Sequence, residues 1–155
     1  MRGVRMPKTA RAAAVVAATV GAVTTIASAS ASAQTVEFPQ TPSVFYGGLC
    51  GGNIRTWVDT SPDWPGRAVF NVQALAIQGV GPGQYPLAPL CNVDTTVAWR
   101  NTNTGAAGEY RLNVVSGIYG SILYAEFQNT GPGHIEVTVT TNNLNIPAHG
   151  AFDVF

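Results

Sequence analysis

The sequence predicts an all-β fold, a single-domain antiparallel β-sandwich of about seven or eight strands closed by one disulfide. Three observations predict it. After the first 33 residues no run favours a helix, and ten Asn, twelve Thr, fifteen Gly and nine Pro are spread through the remaining 122. Apolar and polar residues alternate with period two over runs of roughly six to eight residues, the pattern of half-buried strands. Clusters of Gly, Asn and Pro punctuate those runs at intervals of about 8–15 residues, where chain reversals need them.

The elements follow in order. Residues 1–33 read as a cleaved secretory signal peptide. Arg2, Arg5, Lys8 and Arg11 form a basic start, Ala12 to Ala27 is uncharged and mostly apolar, and the small-residue run Ser28 to Ala33 offers cleavage sites after Ala29, Ala31 or Ala33. The alternative, a membrane anchor, is disfavoured because 16 weakly apolar residues fall short of the ~20 that span a bilayer. Residues 34–155 are then a secreted, extracellular or cell-envelope domain. It holds four arginines against eight carboxylates, a net charge of −4. That balance excludes a basic nucleic-acid-binding surface.

Within the domain, Asn53 to Asp59 sets Ile54 and Val58 on one face and Trp57 out of phase with them. Arg67 to Gln78 points Phe70 and Val72 inward, then changes phase to Leu75 and Ile77, which a bulge near Ala74 would explain. Val93, Thr95, Val97 and Trp99 share one face of the next strand, with Asp94, Thr96 and Arg100 on the other. Asn101 to Gly108 forms the tip of a hairpin leading into the alternating run Glu109 to Val114. Ser121 to Gln128 is apolar on both faces and reads as a central strand covered from both sides. Ile135, Val137 and Val139 form the cleanest buried face of all, and Ala151 to Phe155 makes a short last strand.

Cys50 and Cys91 are the only cysteines, and in an oxidising compartment they pair. A metal site would need two further ligands, and a redox pair would need two intervening residues rather than forty, so no metal or cofactor is expected. An immunoglobulin-like architecture fits this pattern of strands. The immunoglobulin fingerprint itself does not, since Trp57 follows Cys50 by only seven residues and Cys91 lies at the end of a Pro-rich stretch, Pro86 to Leu90.

Catalytic chemistry is sparsely represented. His134 and His149 are the only histidines; His134 opens a strand beside a Gly-Pro-Gly turn, His149 sits in Pro147 to Gly150, and both are expected to be solvent-facing loop residues. None of Ser43, Ser61, Ser116 and Ser121 stands in a nucleophile-elbow motif. Asp59 and Asp63 could ligate calcium or form a glycosidase acid pair, but Asp59-Thr60-Ser61-Pro62-Asp63 is ordinary turn chemistry, the preferred reading. A short-stranded, Pro-interrupted chain is also a poor transmembrane barrel.

The aromatics carry the functional signal. Trp57, Trp64, Tyr46 and Tyr85 fall outside the core phase or in loops. Such rings either stack on sugars and anchor protein partners, or, in the case of Trp57 and Trp64, pack on each other to close one end of the sandwich, the preferred reading. Three functional readings follow. The first is a non-catalytic exported module that binds or interacts with a partner. The second is a carbohydrate-binding module using those four aromatics. The third and weakest is a small secreted hydrolase using His134 or His149.

Overall fold

The computed structural model describes residues 32–47, 50–79 and 90–155. Tyr85, the Pro-rich stretch before Leu90 and nearly all of the leader lie outside these residues. The described chain contains ten β-strands and no helix. They are β1 (Gln34–Glu37), β2 (Thr41–Phe45), β3 (Cys50–Thr60), β4 (Ala68–Ala74), β5 (Gln78–Gly79), β6 (Cys91–Asn101), β7 (Ala107–Ser116), β8 (Tyr124–Gln128), β9 (Gly133–Thr141) and β10 (Ala148–Val154). Among the described residues no helix is long and apolar enough to cross a membrane.

Two antiparallel sheets result. The first runs β1-β3-β4-β8, and the short strands β2 and β5 also pair with β3. The second runs β10-β9-β6-β7. The strand total exceeds the expected one because the eleven-residue β3 is long enough to hold β1 along one half of an edge and β2 along the other.

Period two places the core between the sheets. Ile54, Val58, Phe70 and Val72 face inward from the first sheet, and Val93, Val97, Val114, Ile135 and Val139 from the second; all are completely buried. Each such side chain contributes roughly 1.5–3 kcal/mol by leaving water. Phe152 of β10 reaches across to Phe70 and Phe38, with ring centroids 5.8 and 6.3 Å apart. Phe38 lies directly over Gly150, where any side chain would collide with its ring. Trp99 is in the core as its phase predicts, lying over Gly108 and donating from Nε1 to Gln128 Oε1 of the other sheet at 3.3 Å.

The β6–β7 hairpin forms where Asn101 to Gly108 predicts it. Asn101 organises its tip although it is fully buried. Its Oδ1 accepts the amides of Asn103 and Thr104, and its Nδ2 donates to the carbonyls of Thr130 and Pro132. Gly105 completes the reversal at φ 78°, a conformation glycine adopts without steric cost.

Four expectations are corrected. The stretch Ser121 to Gln128 is an edge element: among the described residues β8 pairs only with β4, and Ile122, Leu123 and Phe127 are exposed. The phase change after Val72 involves no bulge. β4 ends at Ala74, and Leu75 and Ile77 turn off it, their amides bonded to Asn53 and Gly117 carbonyls. The last strand begins at Ala148 rather than Ala151. Finally, Cys91 opens β6, so the Cys50–Cys91 disulfide links the two sheets, with Cα atoms 6.5 Å apart.

Candidate functional site

The outer face of the first sheet gathers two half-buried tryptophans and an exposed phenylalanine, while Tyr46 and Tyr119 are exposed elsewhere. Alternation sends Arg55, Trp57 and Asp59 outward from β3, Val69 and Asn71 from β4, and Ala125 and Phe127 from β8. Register aligns them in rows: Trp57 with Asn71 and Ala125, and Asp59 with Val69 and Phe127. Trp57 and Phe127 therefore stand in neighbouring rows two strands apart, roughly 10 Å in the hydrogen-bonding direction.

Trp57 is half-buried and carries the Arg55 guanidinium over its ring, 4.6 Å from the centroid. That cation is fixed by a two-pronged pair with Glu37, Nε to Oε1 at 2.7 Å and Nη2 to Oε2 at 2.9 Å. The bond from Arg55 holds the Glu37 carboxyl below the usual carboxylate range. Beside the indole, Asn71 is 4 % exposed and donates to Asp59 Oδ2 at 2.7 Å, while the Thr35 hydroxyl donates to Asp59 Oδ1. Asp59 is thus a strand residue bonded to its neighbours and not part of a turn.

Trp64 sits in the loop between β3 and β4. The Ser61 hydroxyl accepts the Asp63 amide at 3.2 Å, and Ser61 and Trp64 carbonyls accept the amides of Trp64 and Arg67. Gly66, at φ 72°, ties this loop to the Phe155 carbonyl and to Gly131. The Trp64 ring meets Phe127 edge-on at 4.8 Å, and the Arg67 guanidinium lies 5.1 Å from the Phe127 centroid. The two tryptophans therefore do not close the sandwich by packing on each other: Trp57 partners Arg55, and Trp64 partners Phe127.

Tyr46 belongs elsewhere. It is 46 % exposed, bridges to Asn92 of the second sheet and donates to the Asn142 carbonyl at 3.3 Å. It lies at the disulfide end, beside the Phe45–Cys50 pairing.

Sequence reasoning missed Phe127, Arg55 and Arg67 as members of the aromatic face. It also missed a groove of about 740 Å³ over Gly51 and Gly52, walled by Pro42, Val44, Leu144 and Ile146. The signal for it was the alternation of Leu144 and Ile146 with Asn143 and Asn145. That segment pairs with β2, Val44 N–H to the Leu144 carbonyl and Ile146 N–H to the Pro42 carbonyl.

The histidines occupy strands rather than loops, on the outer face of the second sheet. His134 Nδ1 is 2.8 Å from Asp153 Oδ1, and His149 Nδ1 is 3.1 Å from Thr138 Oγ1. These pairs are four residues apart along the β9–β10 ladder, roughly 13 Å. The four serine hydroxyls bond elsewhere: Ser43 to Thr141, Ser61 to Asp63, Ser116 to Leu75 and Ser121 to Ile122. Among the described residues no group of three His, Cys, Asp or Glu side chains converges to hold a metal ion. No family model matches the chain, and no curated protein or solved structure is significantly similar to it.

Proposed function

We propose that the chain is an exported, non-catalytic β-sandwich of immunoglobulin-like architecture that binds a partner outside the cytoplasm through the outer face of its first sheet. The observation carrying this reading is the asymmetry of the two outer faces. One presents Trp57 and Phe127 on strands and Trp64 on the adjoining β3–β4 loop, with Arg55 over Trp57 and Arg67 against Phe127. The other presents Asp94, Thr96, Arg111, Thr138 and Thr140 in polar rows. Aromatic and arginine side chains are the commonest anchors of binding surfaces. Export is supported by the leader composition and by a disulfide suited to an oxidising compartment. The architecture is supported by two antiparallel sheets with a bridge between them.

Carbohydrate is the second reading, favoured by one local feature. Trp57 stands directly across from the amide of Asn71, a polar side chain at the edge of a flat ring. The test is a panel of immobilised polysaccharides with wild type, Trp57→Ala and Trp64→Ala. A sugar binder loses at least about tenfold in affinity on Trp57→Ala, about 1.4 kcal/mol, with little change in the unfolding midpoint. Unchanged binding in both variants would remove the aromatic face from the function. A hydrolase would instead lose turnover in His134→Ala or His149→Ala.

A further inference from the structure

Eight Asp and Glu side chains lie in the domain; six have a bonded partner and a seventh stands across from an arginine. Glu37 pairs with Arg55, Asp59 with Thr35 and Asn71, Asp63 with Ser61, and Asp94 with Asn113 and Asn142. Glu109 pairs with Arg111, Asp153 with His134, and Glu136 stands directly across from Arg100. Glu126 alone, among the described residues, has neither a hydrogen-bond partner nor a cation beside it; its cross-strand neighbour is Phe70. It is exposed at the middle of β8, which among the described residues pairs with β4 along one side only. Its flanks are apolar and open to solvent, with Ile122 71 %, Leu123 50 % and Phe127 51 % exposed.

We infer that the free edge of β8 accepts an extended, basic peptide as an added strand. The inference rests on reading the chain as a binding module, and it names the chemistry of one partner. An edge strand offers a row of unpaired amides and carbonyls, and an incoming segment gains affinity from that ladder and specificity from alternate side chains. The residues of such a peptide that face Tyr124, Glu126 and Gln128 lie on one side, and those beside Ala125 and Phe127 on the other. A cation across from Glu126 supplies its missing partner, and apolar residues on the opposite side extend the Phe127 surface. A second copy of this chain fits less well, because the pairing that overlaps all five β8 residues sets Glu126 against Glu126. The other outer strand on this side, β7, is less open, since its Val115 amide is donated to the Tyr124 hydroxyl.

The test uses a short peptide alternating lysine and valine, its glutamate–valine counterpart, and a lysine–valine version with alternate backbone amides methylated. Binding is read by titration calorimetry, and pairing by slowed amide hydrogen exchange across Tyr124 to Gln128. The lysine–valine peptide is expected to bind, to protect those amides and to weaken with added salt. The methylated and glutamate versions are expected to bind at least about tenfold more weakly. Glu126→Lys should reverse the preference between the charged peptides, and Glu126→Gln should abolish it.

Binding indifferent to methylation or to Glu126→Lys overturns the inference, as does no binding of any peptide. Self-association of Glu126→Gln with no peptide binding by wild type also overturns it, leaving the carboxylate as a guard against edge-to-edge pairing. Polysaccharide binding that depends on Trp57 but ignores Glu126 would sink the edge site while leaving the aromatic face standing.

Discussion

Tyr110 turns inward from β7 to join the core, only 8 % exposed. Burial pushes its phenol above the ordinary tyrosine value, with the Glu126 carboxylate and then Tyr124 adding to the effect. The folded state therefore holds this proton more tightly than the unfolded state does. The associated stability is fully present below the unfolded value near 10 and is lost as pH rises through the higher folded value. Tyr110 should ionise later than a free tyrosine reference in an absorbance titration. Wild type should lose more stability than Tyr110→Phe as pH rises above about 10; equal losses in denaturant melts would show that the phenol is not coupled to folding. The inward phase of Tyr110 was legible in the alternation of Glu109 to Val114. Its electrostatic neighbours were not, because Glu126 and Tyr124 belong to the opposite sheet and no local pattern brings them near.

At the scale of elements, period two is read reliably where one face of a strand is covered and the other is wet. β9 meets that condition: Ile135, Val137 and Val139 are at most 2 % exposed, while Glu136 is open to solvent. Val137→Asp should unfold the domain, since an unpaired carboxylate in that core costs several kcal/mol. Thr138→Asp, one residue along and beside His149, should leave the circular dichroism and the melting midpoint nearly unchanged. Equal tolerance of both would mean that the register is wrong.

β8 shows where the same reasoning fails. Apolar residues on both faces describe a strand covered twice and also an edge strand whose apolar residues are simply exposed, and only the neighbours distinguish them. The aromatic face fails in the same way. Trp57 was legible as an outward residue, but the Arg55 cation over it and the Phe127 partner of Trp64 depend on strand order. The supposed bulge near Ala74 has a related cause, since Ile77 is buried against a different part of the chain after β4 has already ended.

For the whole molecule, the decisive question is how the two sheets stay docked. Shared core burial is one tie. Hydrogen bonds from the Gly66 loop to Phe155 and Gly131 close one end, and the Leu144 to Ile146 segment bonded to β2 closes one side. The disulfide is the covalent tie, joining the first residues of β3 and β6 across a sequence separation of 41. Loop-closure entropy gives a crosslink of that span a stabilisation on the order of 4 kcal/mol, acting mainly on the unfolded chain. Replacing both cysteines by serine should therefore cost about 2–5 kcal/mol. It should also raise the dependence of stability on denaturant, because an uncrosslinked unfolded chain expands and exposes more surface. A lower midpoint with an unchanged slope would place the effect in the folded state, as lost contact between the sheets at the Cys50 end. An unchanged midpoint would mean that core burial and the hydrogen-bonded closures alone hold the sheets together.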